Sequence, residues 1–280
     1  MRVFFGIIFG LLFLVSASVY LLVFNANKTV LQPNYVKKLA EKASLYDKIP
    51  QIIAENILKE GNIPDELQDT FLKTVTNAIT PQMVKNHLNS MIDQMLSNRV
   101  MITEDISDIN SVIINTTDLG FLISSTEESI IPHSITFDKR NNNFGKFILN
   151  KSKIIWISLI GSIVFLFLVF FVASKNYKSR FKWSGAYFAV LAILILTNYL
   201  ILHLVDFRPL INLIDKENSM SQTLDQVIII TNIVKNDFAK YFIYEFIILC
   251  VMSVMSFIIA ALINKPPLNQ NLGNKNETSK

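Results

Sequence analysis

Three polar side chains lie within strongly apolar stretches and have types suited to chemistry: Asn198, His203 and Glu245. If both stretches cross a bilayer as helices, His203 and Glu245 lie at a similar depth, about 10 Å from the midplane at about 1.5 Å rise per residue. Asn198 is one to two turns deeper. Ionisable groups at such depth are costly and usually paired. The spacing predicts a ligand or proton site, an interhelical hydrogen bond, or side chains that reach the interface, and it leaves these open.

The other two histidines, His87 and His133, have no His or Cys close in sequence that would give metal-ligand spacing. His87 borders the apolar face of a predicted helix, which is typical of a surface or boundary histidine. The sequence contains no phosphate-binding loop, nucleophile elbow, zinc-protease helix or dinucleotide fingerprint. We therefore predict that the protein is not an enzyme and that it binds no metal and no cofactor.

Apolar residues are concentrated in four blocks. The chain is 51% hydrophobic and 17% charged, whereas soluble proteins carry about 25% charged residues. Each block is about 20 residues long, enough for a helix that crosses a bilayer. The predicted transmembrane helices are residues 1–24, 153–173, 186–205 and 241–263.

The first apolar block allows two interpretations. A basic Arg2 followed by an apolar run and Val15-Ser16-Ala17 is typical of a cleaved signal peptide. The run continues to Phe24, however, which is longer than the hydrophobic core of a signal peptide and favours an uncleaved signal-anchor. Both interpretations place the segment that follows outside the cytoplasm.

The distribution of basic residues predicts the orientation. The loop at 174–185 carries four bases and no acids, so it is assigned to the cytoplasm. The partly helical loop at 206–240 has five acids and four bases, which favours the outside. The tail at 264–280, predicted to be disordered, has three bases and one acid. Both termini are then cytoplasmic in a multi-pass cell-membrane protein, with residues 25–152 and 206–240 extracytoplasmic.

Residues 25–152 show helical periodicity without a strong charge bias. Apolar residues recur every three or four positions in four stripes: Val36–Ile57 with a bend at Pro50, Leu67–Ile79, Val84–Met95 and Ile102–Ile113. The Thr80-Pro81 pair predicts one helix start, and Thr103 followed by two acids predicts another. Residues 115–150 lose the period and are predicted to be irregular or extended. The expected fold is all-α, with four transmembrane helices and an extracytoplasmic helical bundle.

The Tyr46-Asp-Lys-Ile-Pro50 turn and Thr80-Pro81-x-x-Val84 resemble segments in uncharacterised bacterial multi-span membrane proteins that carry a helical extracytoplasmic domain. The resemblance covers about residues 35–115 and implies a bacterial envelope protein without an assigned activity. With 13 bases and 15 acids, residues 25–152 offer no basic face for nucleic acid. The expected partners are the lipid bilayer and either an envelope protein or a second copy of the chain.

Two functions remain open. The first is a non-enzymatic envelope scaffold, assembly factor or accessory subunit that docks a partner through its outer helical domain. The alternative is a transport or lipid-handling protein that uses a polar centre at His203 and Glu245 in the membrane bundle. The sequence names no specific partner or ligand for either function.

Overall fold

The computed structural model describes residues 1–60, 64–116, 134–206, 209 and 224–263. About 85% of these described residues are helical, and they include one two-stranded sheet that the all-α prediction did not contain. The elements in chain order are α1 (Arg2–Lys28), α2 (Pro33–Lys42), α3 (Leu45–Glu60), α4 (Asp65–Ala78), α5 (Pro81–Leu96), β1 (Met101–Asp105), α6 (Ser107–Thr116), β2 (Ser134–Asp138), a 3-10 turn (Lys139–Asn141), α7 (Asn143–Val172), α8 (Tyr177–Leu204) and α9 (Leu224–Leu262).

Four of these helices, α1, α7, α8 and α9, are long and apolar enough to cross a membrane. At most 28% of the most apolar window of each helix is buried inside the protein, so most of their apolar side chains face outward. Outward-facing apolar side chains suit a lipid environment and would be unfavourable in water. The chain is therefore a membrane protein with four candidate membrane-spanning helices.

The helices extend beyond the predicted spans. α8 begins at Tyr177, so most of the basic segment at 174–185, predicted as a loop, is helical. α9 continues without interruption from Leu224 to Leu262, which confirms a helix that leads directly into the fourth apolar block. Val205 and Asp206, directly after α8, are not helical, and residues 207–208 and 210–223 lie outside the described residues.

The chain divides into two compact units. The apolar unit comprises residues 1–24, 153–204 and 238–280, and the polar unit comprises residues 25–152 and 205–237. In the apolar unit, Phe13 of α1 packs edge-on against Phe188 of α8, with ring centroids 5.9 Å apart. The Tyr187 hydroxyl donates to the carbonyl of Gly6 at 3.1 Å, and the Ser253 hydroxyl of α9 donates to the carbonyl of Gly185 at 2.9 Å.

The polar unit has its own hydrophobic core. Phe71 and Val75 of α4 and Ile79 directly after it are at most 1% exposed and pack with apolar residues of α3, α5 and α6. A second cluster joins Leu31 to Ile92 and Leu96 of α5 and to Ile148 of α7. The only cysteine, Cys250, is a free thiol, so no disulfide within the chain stabilises the fold. Burial of these apolar side chains, at roughly 25 cal/mol per Å², is therefore the main stabilising contribution.

The first predicted stripe is divided at a position that the sequence did not indicate. The helix is interrupted at Ala43 and Ser44, between α2 and α3, and Ser44 adopts a left-handed backbone with φ 52°. Pro50, which was expected to bend the helix, lies inside α3 without ending it. The break lets α2 and α3 leave in different directions, so that Ala40, Tyr46 and Ala54 enter the same core.

The start of α5 agrees with its prediction, and the start of α6 does not. Thr80 caps α5 by accepting the amide hydrogen of Met83, and Pro81 occupies the first turn. The predicted helix start at Thr103 is wrong, because residues 101–105 form strand β1, paired antiparallel with β2. In β1 only Ile102 and Glu104 are buried, which is the alternation of a strand. The helix begins later, at Ser107.

The prediction for residues 115–150 is partly wrong. β2 is extended, as expected, but α7 already begins at Asn143, so residues 143–150 are helical. Asp138 caps the intervening 3-10 turn by accepting the amide hydrogen of Arg140. A Cβ at Gly145 would overlap the backbone of Lys139, with Lys139 Cα only 2.6 Å away. Glycine therefore allows the first turn of α7 to pack directly on this turn.

Candidate functional site

The three residues of the predicted membrane site lie on two helices, α8 and α9. His203 is exposed near the end of α8, and its ring stacks on Tyr199 one turn earlier, with centroids 5.8 Å apart. Glu245 on α9 and Asn198 on α8 are half-buried. Among the described residues, no hydrogen bond or ion pair joins His203 to Glu245. A ligand or proton role for these three residues stays a prediction.

A different histidine lies in a dense polar cluster. His87 on α5 is held between two carboxylates: Nδ1 lies 2.9 Å from Glu104 Oε1, and Nε2 lies 2.9 Å from Asp108 Oδ2. Glu104 comes from β1 and Asp108 from the first turn of α6. We refer to His87, Glu104 and Asp108 as the histidine clamp. The clamp connects three consecutive elements of the polar unit.

Two further side chains of α5 complete the hydrogen bonding of Glu104, which is only 8% exposed. The Ser90 hydroxyl donates to Glu104 Oε2 at 2.6 Å, and the Gln94 amide donates to the same oxygen at 3.0 Å. Gln94 Oε1 also accepts the backbone amide hydrogen of Thr103 at 3.2 Å. A buried carboxylate is expensive unless it is hydrogen-bonded and paired, and Glu104 meets both conditions.

The clamp favours a doubly protonated imidazole. Burial by itself lowers the pKa of His87, but hydrogen bonds to Asp108 and Glu104 raise that pKa above its ordinary value overall. Burial likewise acts to raise the pKa of Asp108, and the bonds from His87 and the Ile109 amide lower it overall. With both ring nitrogens as donors, His87 is suited to a structural ion pair. Its nitrogens are engaged and therefore poorly placed to bind a further proton acceptor.

Metal binding is not supported at the clamp by its geometry. The two carboxylates contact opposite nitrogens of one ring, so the three side chains do not converge on one point. Across the described ranges, no three His, Cys, Asp or Glu side chains are grouped as metal ligands would be. His133 lies outside the described residues.

The C-terminus of α5 is capped by two lysines from distant sequence. The Lys139 ammonium donates at 2.7 Å to each of two carbonyls, those of Gln94 and Ser97, and Lys139 is fully buried. Lys151 of α7 donates at 3.1 Å to the carbonyl of Leu96. Burial and the neighbouring Lys151 lower the pKa of Lys139. Cations at the last carbonyls offset the negative end of the helix dipole.

A polar cleft of about 650 Å³ runs along one face of α5. It is lined by Asn86, Asn89, Ser90, Asp93, Gln94, Ser97 and Arg99. We call it the α5 cleft. Ser90 and Gln94 belong to both the cleft and the Glu104 hydrogen bonds, so the clamp fixes the cleft wall.

No protein-family model matches the chain, and no curated protein or solved structure is significantly similar to it. The candidate site is therefore defined by its geometry alone. The sequence pattern indicated a boundary position for His87 and did not reveal the clamp. One signal was present: His87, Ser90 and Gln94 recur at three- and four-residue spacing, which places three polar side chains on one face of α5.

Proposed function

We propose that this protein is a non-enzymatic, membrane-anchored docking subunit of the bacterial envelope, which presents its polar unit to a protein partner outside the cytoplasm. The α5 cleft is the observation that carries the proposal. The orientation is supported by the four bases and no acids at residues 174–185, set against the balanced charges of residues 206–240. An assembly factor or an accessory subunit of a membrane complex is the role that fits such an arrangement.

The cleft offers hydrogen-bond donors in a row. Asn86 and Asn89 are separated by three residues and share a face of α5. The Oδ1 atom of Asn86 accepts from Gln82 at 2.9 Å, and that of Asn89 accepts from the Tyr46 hydroxyl at 2.8 Å. These hydrogen bonds use only the Oδ1 atoms, and no described residue accepts from the Nδ2 group of Asn86 or Asn89. They are available to donate to carbonyl oxygens of a partner.

An extended segment of another polypeptide suits this lining. Its backbone carbonyls would accept from the two carboxamides, and a carboxylate on the segment would pair with the exposed Arg99 at the end of the cleft. Asp93, whose carboxylate bonds Lys37 of α2 at 2.6 Å, lies between them and disfavours a strongly acidic segment. The expected partner is thus a polar segment with few acids beyond the one that Arg99 would bind.

The platform beneath the cleft is rigid enough to specify a partner. α5 is joined to α2 by ion pairs of Lys37 with Asp93 and of Lys85 with Glu41, each at 2.6 Å. It is joined to β1 and α6 by the histidine clamp. Exposed ion pairs stabilise by only about 0–1 kcal/mol each. The histidine clamp and the buried apolar residues therefore contribute most of the rigidity beneath the cleft. A pre-organised surface binds with a smaller ordering cost.

The test places a photo-reactive amino acid at Asn86 of the full-length protein in its native membrane. A matched control places it at Gln51, which is exposed on α3 and does not line the cleft. We expect one stoichiometric protein adduct from position 86 and none from position 51. In an Arg99→Glu background, the adduct from position 86 should fall several-fold.

Two results would contradict the docking function. The first is an equal adduct pattern from positions 86 and 51, which indicates collisions without a site. The second is the absence of an adduct from position 86 in a protein that is folded and membrane-inserted. An adduct with a second copy of the chain would replace the heterologous partner by a homo-oligomer.

A further inference from the structure

A groove in the apolar unit lies between the ends of α7 and α8 and reaches α9. It has a volume of about 340 Å³ and is lined mainly by Phe and aliphatic side chains, among them Phe167, Phe170 and Phe181. Its polar side chains are the hydroxyls of Ser184 and Ser256. Ser184 donates to the carbonyl of Arg180, so its hydroxyl is engaged within α8. The groove therefore offers apolar contact along nearly all of its surface.

Arg180 is fixed at one end of this groove by three aromatic rings. Its guanidinium carbon lies 4.7 Å from the ring centroid of Tyr177, 5.2 Å from that of Phe171 and 6.0 Å from that of Phe170. These are cation–π distances. Phe170 also lines the groove and packs edge-on against Phe181, with centroids 5.0 Å apart. The cation and the apolar cavity thus share the same aromatic wall.

The positive charge at this end has no acidic counterpart nearby. Residues 174–184 include Lys175, Lys178, Arg180 and Lys182 and no Asp or Glu. Within the described part of the chain, none of these four forms an ion pair with a carboxylate. Arg180 uses Nε to donate to the Ser174 carbonyl at 3.0 Å. No described group accepts from its terminal nitrogens, which leaves their N–H groups available as donors.

We infer that this groove binds one molecule of an anionic glycerophospholipid. An acyl chain lies along Phe167 and Phe170, and the headgroup phosphate accepts hydrogen bonds from Arg180 and from the long, flexible side chain of the flanking Lys178. Guanidinium groups bind phosphate in two-pronged geometry. Basic pockets between membrane helices are suited to anionic headgroups.

The combination of features selects the ligand class. An apolar groove without charge would accept any acyl chain, and a basic patch without a groove would accept any phosphate. Here the groove and the cation share Phe170, and four cations without acids in the same segment favour a headgroup with a net negative charge over a zwitterionic one. The groove shares no lining residue with the α5 cleft and does not include His203, so the inference does not rest on the proposed docking function.

The test compares lipids retained by the purified full-length protein. Native mass spectrometry is carried out after exchange into mild detergent with equal amounts of phosphatidylglycerol and phosphatidylcholine. We expect one phosphatidylglycerol per chain, preferred at least tenfold over phosphatidylcholine. The double variant Arg180→Gln/Lys178→Gln should lose this preference, whereas Lys48→Gln, which removes an exposed charge in the polar unit, should keep it.

Further arms separate a lipid from a free phosphate and test the groove itself. Inorganic phosphate at millimolar concentration should not displace the lipid. Ile163→Trp, at an exposed groove residue, should reduce retention several-fold by filling the cavity. The inference is overturned by equal retention of the two lipids or by full displacement with phosphate. It is also overturned if Arg180→Gln/Lys178→Gln and Ile163→Trp both retain phosphatidylglycerol as the wild type does. Variants are compared only where circular dichroism and a monodisperse elution profile match the wild type.

Discussion

His87 and Glu104 form an ion pair between α5 and β1, with 2.9 Å between Nδ1 and Oε1. The side chains of His87 and Glu104 are only 18% and 10% exposed, so solvent screens the pair weakly. The second ring nitrogen is engaged by Asp108, and the imidazole therefore acts as a bridge between two acids. This bridge makes the stability of the polar unit depend on pH.

The raised pKa of His87 sets the sign of that dependence. The pKa of His87 in the folded protein lies above the ordinary value of 6.5, so the stabilisation by protonated His87 is fully present below about pH 6.5. It is lost as the pH rises through the raised pKa of His87. Asp108 behaves in the opposite direction: with its pKa below 3.8, it contributes above about pH 4 and loses its contribution as the pH falls further. We therefore expect amide hydrogen exchange in α5 to accelerate with pH beyond the intrinsic chemical effect.

His87→Gln should remove this pH dependence. The amide keeps one hydrogen bond but carries no titratable charge, and the loss of a charge-assisted bond costs about 1–3 kcal/mol at about pH 6. The measurement is hydrogen exchange of α5 amides in the full-length protein in micelles, from about pH 5.5 to about pH 8.5 so as to span the ordinary histidine pKa, corrected for intrinsic rates. A variant that retains the wild-type pH profile would show that His87 is not the titrating group.

Lys139→Met should destabilise the end of α5. The substitution keeps the apolar length of the side chain but leaves the carbonyls of Gln94 and Ser97 without their shared donor. The Gln94 carbonyl still accepts from the Ser97 hydroxyl, so the loss falls mainly on the Ser97 carbonyl, and an unpaired buried carbonyl costs about 1–3 kcal/mol. Lys146→Met on α7 is the matched control, because Lys146 is exposed, and it should change stability by less than about 0.5 kcal/mol. Equal protection of residues 92–97 in both variants would contradict the capping role.

Ser44 should tolerate only residues that accept a left-handed backbone. Its φ of 52° is compatible with glycine and asparagine, whereas a β-branched side chain is strained there. We expect Ser44→Val to reduce the unfolding free energy of the polar unit by about 1–2 kcal/mol. Ser44→Gly and Ser44→Asn should have little effect in urea unfolding of the full-length protein. A similar loss in all three variants would point to the side chain of Ser44 itself.

Gly10 should be sensitive to any side chain. A Cβ at Gly10 would overlap the ring of Tyr187, whereas one at Gly161 would lie 3.3 Å from Ser16 Oγ. Gly10→Leu is therefore expected to separate α1 from α8 and to lower the thermal unfolding midpoint in micelles, while Gly161→Ala is tolerated. Adding Tyr187→Ala to Gly10→Leu should recover part of the loss, because it removes the ring that the new side chain meets. No recovery in the double variant would place the strain elsewhere.

The parts of the fold that depend on local composition could be predicted from the sequence. Four helices cover the four apolar blocks because about 20 apolar residues in lipid have to satisfy their backbone internally. The Thr80-Pro81 start of α5 was also predicted, because both the cap and the proline act within the first turn. These signals need no information about distant residues.

The features that depend on distant residues were missed. Thr103, Glu104 and Asp105 have the composition of a helix start, but pairing with the strand at residues 134–138 makes them extended. The clamp joins His87 to partners 17 and 21 residues away across a strand and a turn. No periodicity relates these positions. The break at Ser44 likewise depends on core packing on both sides of it.

Several contacts that complete the polar unit are made by residues that are synthesised much later than their partners. The helix ends at Leu96, yet its terminal carbonyls are completed by Lys139 and Lys151, and Tyr35 near the start of the polar unit bonds Asp237 at 2.8 Å. A nascent chain thus reaches the second and third apolar blocks before all of these contacts can form. The Tyr35–Asp237 hydrogen bond of the polar unit can form only after the second and third apolar blocks have been synthesised.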